Sequence, residues 1–122
     1  MTEPLDHILY RSGDSTDPEF PYAPIDWTRG AAERRAQDEG LALGSDHWDL
    51  VRALHEFFAR HADRGHVRFR EIHDALEERF HARGGVRFLY GLFPGGPVAQ
   101  GCRIAGYEPP AGTIDRGFGS VV

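Results

Sequence analysis

Glycine and proline cut this chain into short pieces. Breaks fall at Gly40, in the ADRG stretch of residues 62–65, in the ARGG stretch of residues 82–85, in the PGGP stretch of residues 94–97 and at Gly106. Glycine interrupts regular structure through its backbone freedom, and proline does so through its missing N–H. The segments between the breaks read mostly as helices. The clearest follows Ser45. There Trp48, Val51, Leu54, Phe57, Phe58 and His61 recur at steps of three and four and share one face. Burying such a stripe is a main source of core stability.

The other helices follow from the same periodicity and from their caps. Asp26 is placed to cap a helix through Glu39, with Gly40 at its C-terminal end, although Gly30 costs about 1 kcal/mol there. Ser45 is placed to cap the second helix, and Asp46 sits in a first turn that favours negative charge. A third helix is expected after His66, with Phe69, Ile72, Ala75, Leu76 and Phe80 inward. Residues 86–93 read as a short helix whose apolar residues are Val86, Leu89, Tyr90 and Phe93. Pro97 suits the first position of a last helix running to Ala105, because its missing N–H costs nothing there. Gly106 ends that helix.

The ends of the chain read differently. Residues 12–18, SGDSTDP, signal a turn, and EFPYAP holds two prolines that exclude helix. The piece HILYR at residues 7–11 could pair as a hairpin. Residues 107–122 lack helical or strand period and read as an arm. The expected class is therefore α+β: a mainly helical single domain over residues 1–122. Residues 1–25 form a hairpin or irregular lead-in, 26–106 a helical core, and 107–122 a flexible C-terminal arm.

Composition narrows the function. A length of 122 residues suits one domain. The net charge of −5 lacks the basic footprint of a general nucleic-acid binder, so DNA is not the expected partner. No apolar run approaches the ~20 residues of a membrane span, and the N-terminus lacks a signal-peptide layout. A cytoplasmic location is expected. The single cysteine, Cys102, cannot form an internal disulfide or a multi-cysteine zinc site.

Cys102 shares a helical face with Val98 and Ala105. One reading makes it a small buried hydrophobe, a common fate of free cysteine. The other makes it a reactive thiol at the foot of the arm, with Arg103 adjacent in sequence. The histidine pairs His66/His73 and His73/His81 are seven or eight residues apart, whereas helical metal sites usually need three or four. No metal and no cofactor are expected. The loop of residues 84–97 lacks the Gly-Lys-Ser/Thr ending of a phosphate loop. The helix pair around residues 62–66 could be a helix-turn-helix carrying Arg68 and Arg70, but such pairs are common in all-α packing.

Five collinear blocks carry a family resemblance: DW at 26–27, EGLAL from Glu39, HW at 47–48, RFLYGLFPGGPVAQGCRIAG from Arg87, and PPAG from Pro109. Together the blocks resemble the DsrC/TusE family of small sulfur-relay proteins, which includes the gamma subunit of dissimilatory sulfite reductase. The resemblance implies a mostly helical fold with an N-terminal β-hairpin, a helix-turn-helix-like pair and a C-terminal arm. It implies protein partners of sulfurtransferase or sulfite reductase type. In the family the arm ends in a persulfide-bearing cysteine, and some members have a second cysteine in the last helix. Cys102 falls on that second position. The arm-tip position falls on Thr113, and the sequence continues past it with DRGFGSVV. A threonine hydroxyl cannot hold a persulfide, because thiol exchange needs a sulfur nucleophile and a sulfur leaving group. The extra residues are expected to hinder insertion of the arm into a partner.

Three functions remain in view. A variant carrier accepts sulfur on Cys102, with Arg70, Arg87, Tyr90 and Arg103 docking partners or supporting the thiolate. Because one family thiol survives, this reading stands first. A non-carrier member of the relay instead keeps the docking surface and acts by contact or regulation. Binding of DNA through the helix pair comes last.

Overall fold

The computed structural model describes residues 17–64 and 67–110. Among them are five α-helices: α1 (Arg29–Asp38), α2 (Ser45–Arg60), α3 (Phe69–Arg79), α4 (Gly85–Leu92) and α5 (Ala99–Ala105). A 3-10 turn, His81–Arg83, joins α3 to α4. The described residues contain no β-strand. The described part of the expected hairpin lead-in, residues 17–25, forms turns instead, closed by Phe20 N–H to Asp17 O and Ala23 N–H to Phe20 O. The HILYR piece of that expectation lies outside the described residues. The described residues thus form a mainly helical architecture.

The helices begin where local chemistry permits. α1 starts after Thr28 rather than after Asp26: the Thr28 hydroxyl accepts the Ala31 N–H at 3.0 Å. Asp26 is instead part of the turn closed by Trp27 N–H to Pro24 O. Ser45 is the first residue of α2, not its cap. Gly44 takes the cap position, and the His47 ring Nδ1 accepts its N–H at 3.0 Å. Glu71 does the corresponding work on α3 by accepting the Arg68 N–H at 2.9 Å. α5 opens just after Pro97, whose carbonyl already accepts the Gly101 N–H.

Helix α5 packs against both α1 and α2, α3 lies on α2, and α4 lies on α3. The core draws on every helix: Ala32 and Ala36, Leu50 and Leu54, Ile72 and Leu76, Leu89, and Ile104 with Ala105. Gly101 lets α5 approach α2 closely. A Cβ there would lie 3.1 Å from Leu50 Cδ2 and 3.2 Å from Leu54 Cδ1. Phe20, from the lead-in, is buried at the same junction beside Trp27, at 4.9 Å between ring centroids. None of the helices is long and apolar enough to cross a membrane.

Candidate functional site

The site is built around the C-terminal end of α5, where the arm begins. The last carbonyls of a helix have no partner within it. Here side chains from distant elements supply partners. The Trp27 indole donates to Ile104 O at 2.9 Å. The His55 Nε2–H donates to Ala105 O at 3.0 Å. Tyr107 N–H returns to Cys102 O at 2.8 Å, closing the turn through Gly106, whose φ of 100° lies in the left-handed region. A Cβ on Gly106 would lie 2.8 Å from Trp27 Cδ1, so only glycine fits.

The PGGP loop is tied to the same place. Glu39, just past the end of α1, accepts two hydrogen bonds from Arg103 at 2.9 and 3.0 Å and one from Gln100 at 2.9 Å. Gln100 Oε1 in turn accepts the Gly95 N–H at 2.9 Å. The Arg103 hydrogen bonds hold the Glu39 carboxyl below the usual carboxylate range. His47 links the loop's other side: since its Nδ1 accepts from Gly44, its Nε2–H donates to Leu92 O at 2.9 Å.

Cys102 lies inside this assembly with 0 % exposure, alongside the equally buried Val98 and Ala105. Burial pushes its thiol up to about 12, against a smaller opposing pull from Arg103. At neutral pH the thiol is then held in its protonated form. The thiolate is the sulfur nucleophile, so the folded site is chemically quiet. His55 is 1 % exposed and ringed by Phe20, Trp27 and Tyr107. Burial lowers it to about 4, so its ring is neutral, and its Nδ1 has no hydrogen-bond partner among the described residues.

The residues singled out in the sequence do not form one constellation. Cys102 and Arg103 belong to the base of the arm, and Arg103 is engaged by Glu39. Arg70 lies on α3, while Arg87 and Tyr90 lie on α4. Tyr90 is 44 % exposed and Val86 39 %, so the outer side of α4 presents apolar surface to solvent. His73 of α3 lies against Tyr90 at 6.4 Å between ring centroids, joining the two helices into one outer face. Thr113 lies outside the described residues.

Sequence reasoning missed His55 and Phe20. His55 sits within the stripe of α2, but no spacing rule separates it from a core-edge histidine. The DW and HW blocks and Glu39 of EGLAL were visible as blocks. Their task, holding the end of α5 and the loop before it, was not.

With this geometry in hand, comparison places the chain. The DsrC-like protein family matches residues 13–114. The sulfurtransferase TusE of Salmonella typhimurium (strain LT2) is 33% identical over 102 residues, covering 82% of this chain and 92% of the relative. The TusE of Escherichia coli (strain K12) is 33% identical over 89 residues, covering 72% and 80%. The NMR structure of DsrC from Allochromatium vinosum superposes with a TM-score of 0.59 at 33% identity, over 71% of this chain and 77% of that one. The chain belongs to the DsrC-like family of small sulfur-relay proteins.

Proposed function

We propose that this chain works in sulfur relay as a docking member of its family: a cytoplasmic protein that meets sulfur-transfer partners by protein contact and holds no sulfur on its own thiol while folded. The observation that carries this reading is the burial of Cys102, the only cysteine, at 0 % exposure. A donor must touch the receiving sulfur, and the receiver must be a thiolate. Neither condition is met in the folded site. The carrier reading, placed first on sequence, loses its support there. The likeness to TusE sulfurtransferases supports the relay context.

The docking face assigned by this proposal is the outer side of α3 and α4, with Arg70, Arg87 and Tyr90. Exposed tyrosine and arginine are the side chains that binding surfaces favour. Neither arginine pairs with a carboxylate among the described residues, whereas Arg52, Arg79, Arg83 and Arg103 each hold one. Partners of sulfurtransferase or sulfite reductase type are proposed for this face.

The test is sulfur loading together with binding. After incubation with polysulfide, intact-mass analysis is expected to show no persulfide on the native chain, while a two-cysteine relative loads in parallel. Tyr90→Ala with Arg87→Ala is expected to weaken capture of a relay sulfurtransferase about tenfold or more. A persulfide on Cys102 of the native chain contradicts the proposal.

A further inference from the structure

We propose that Trp27, His55 and Phe58 form a clamp that seals Cys102 behind the first residue of the arm, so that access to the only thiol is controlled where the arm leaves α5. This inference rests on the docking reading above, in which the thiol is closed in the resting fold. It adds what holds the thiol closed and what opens it.

Trp27, from the turn before α1, and His55, from the middle of α2, converge on two successive carbonyls, Ile104 O and Ala105 O. They are 28 residues apart in sequence, yet their rings lie 4.7 Å apart at 79°, edge to face. The chain then turns at Gly106, in contact with the Trp27 ring. The seated indole leaves room there for glycine alone. The turn delivers Tyr107 back over the helix, where its N–H bonds Cys102 O at 2.8 Å. The Tyr107 ring stacks on Phe58 at 4.0 Å and 23° and lies 6.0 Å from His55. The tyrosine is thus an arm residue held by core residues. Burial raises the Tyr107 hydroxyl above its ordinary range, and a charge on Cys102 would raise it further.

The clamp acts only on the last turn of α5 and on residues 106 and 107. Local openings of this kind cost less than unfolding the whole domain. They are also opposed locally: releasing the carbonyls leaves the buried indole and imidazole N–H groups without their partners. A partner that grips the arm and lifts Tyr107 pulls on this assembly directly. The Glu39–Arg103–Gln100 network holds the opposite side of α5 and need not break.

The experiment compares the native alkylation rate of Cys102 with global stability in variants of the full chain. Trp27→Phe keeps an aromatic ring but removes the donor and the five-membered half of the indole. His55→Gln replaces the imidazole with an amide. Ile72→Val, on α3 and away from the arm, serves as the control. The clamp predicts that both clamp variants alkylate about tenfold faster than the control once urea is used to bring all three to equal stability. It also predicts faster hydrogen exchange at the Tyr107 amide with no change at Leu54. If Trp27→Phe does not fold, Tyr107→Leu takes its place in the comparison. Variants and control falling on one line of rate against stability overturn the clamp and leave the docking reading intact. Wild-type Cys102 reacting as fast in native buffer as in denaturant overturns the docking reading, and the clamp with it.

Discussion

A sulfur atom receives another sulfur only as a thiolate that a donor can touch. Cys102 meets neither condition in the folded chain, and its neighbours explain why. It lies on the inner face of a helix whose end is held by Trp27 and His55. His55 also gives the residue scale its pH dependence. Burial lowers this histidine from 6.5 to about 4, so the unfolded chain binds a proton that the folded chain refuses. The stability that depends on a neutral His55 is fully present above pH 6.5 and is lost as pH falls from there toward 4, by about 3 kcal/mol. Urea unfolding at pH 7 and pH 4 measures this loss, and His55→Gln is expected to remove that part of the difference. Gly106 makes a sharper prediction. With a φ of 100° and a Trp27 carbon 2.8 Å from any added Cβ, Gly106→Ala is expected to cost about 2–3 kcal/mol in urea unfolding.

At the scale of elements, α1 and α5 are joined by one carboxylate. Glu39 takes three hydrogen bonds, two of them from Arg103, and is held below its ordinary range by them. Arg103→Ala leaves a partly buried carboxylate with Gln100 as its one remaining side-chain donor, at an expected cost of about 1 kcal/mol at pH 7. A depressed carboxylate contributes stability above its unfolded value of about 4.5 and loses it as pH falls through the lower folded value. The gap between wild type and Arg103→Ala is therefore expected to narrow as pH falls below 4.5, read by urea unfolding across that range. The elements themselves were largely legible. The stripes of α2 and α3 and the breaks at Gly40 and Gly106 came from periodicity and glycine chemistry. The caps were less so: Asp26 and Ser45 are both good cap residues, but the Pro24 turn and the His47 ring moved those roles to Thr28 and Gly44. Phe20 was illegible because its burial depends on Trp27 and Trp48, contacts that no local pattern encodes. The site was half legible. The blocks around it identified the family, but that they converge on two carbonyls of α5 is a fact of tertiary structure.

At the scale of the molecule, a small acidic helical protein keeps the frame of a sulfur relay while its one thiol is closed off. The proposed docking face on α3 and α4 carries exposed Tyr90 with Arg70 and Arg87, and the base of the arm is packed into the core. These two surfaces allow a protein to act in sulfur traffic by contact without holding the cargo. The account stands or falls on whether Cys102 is reachable, and the rate of its reaction with iodoacetamide at neutral pH, native against fully denatured, measures this most directly. The account predicts that the native thiol reacts at least about a hundredfold more slowly, as expected of a group reached only through rare openings. Equal rates in the two states would contradict it.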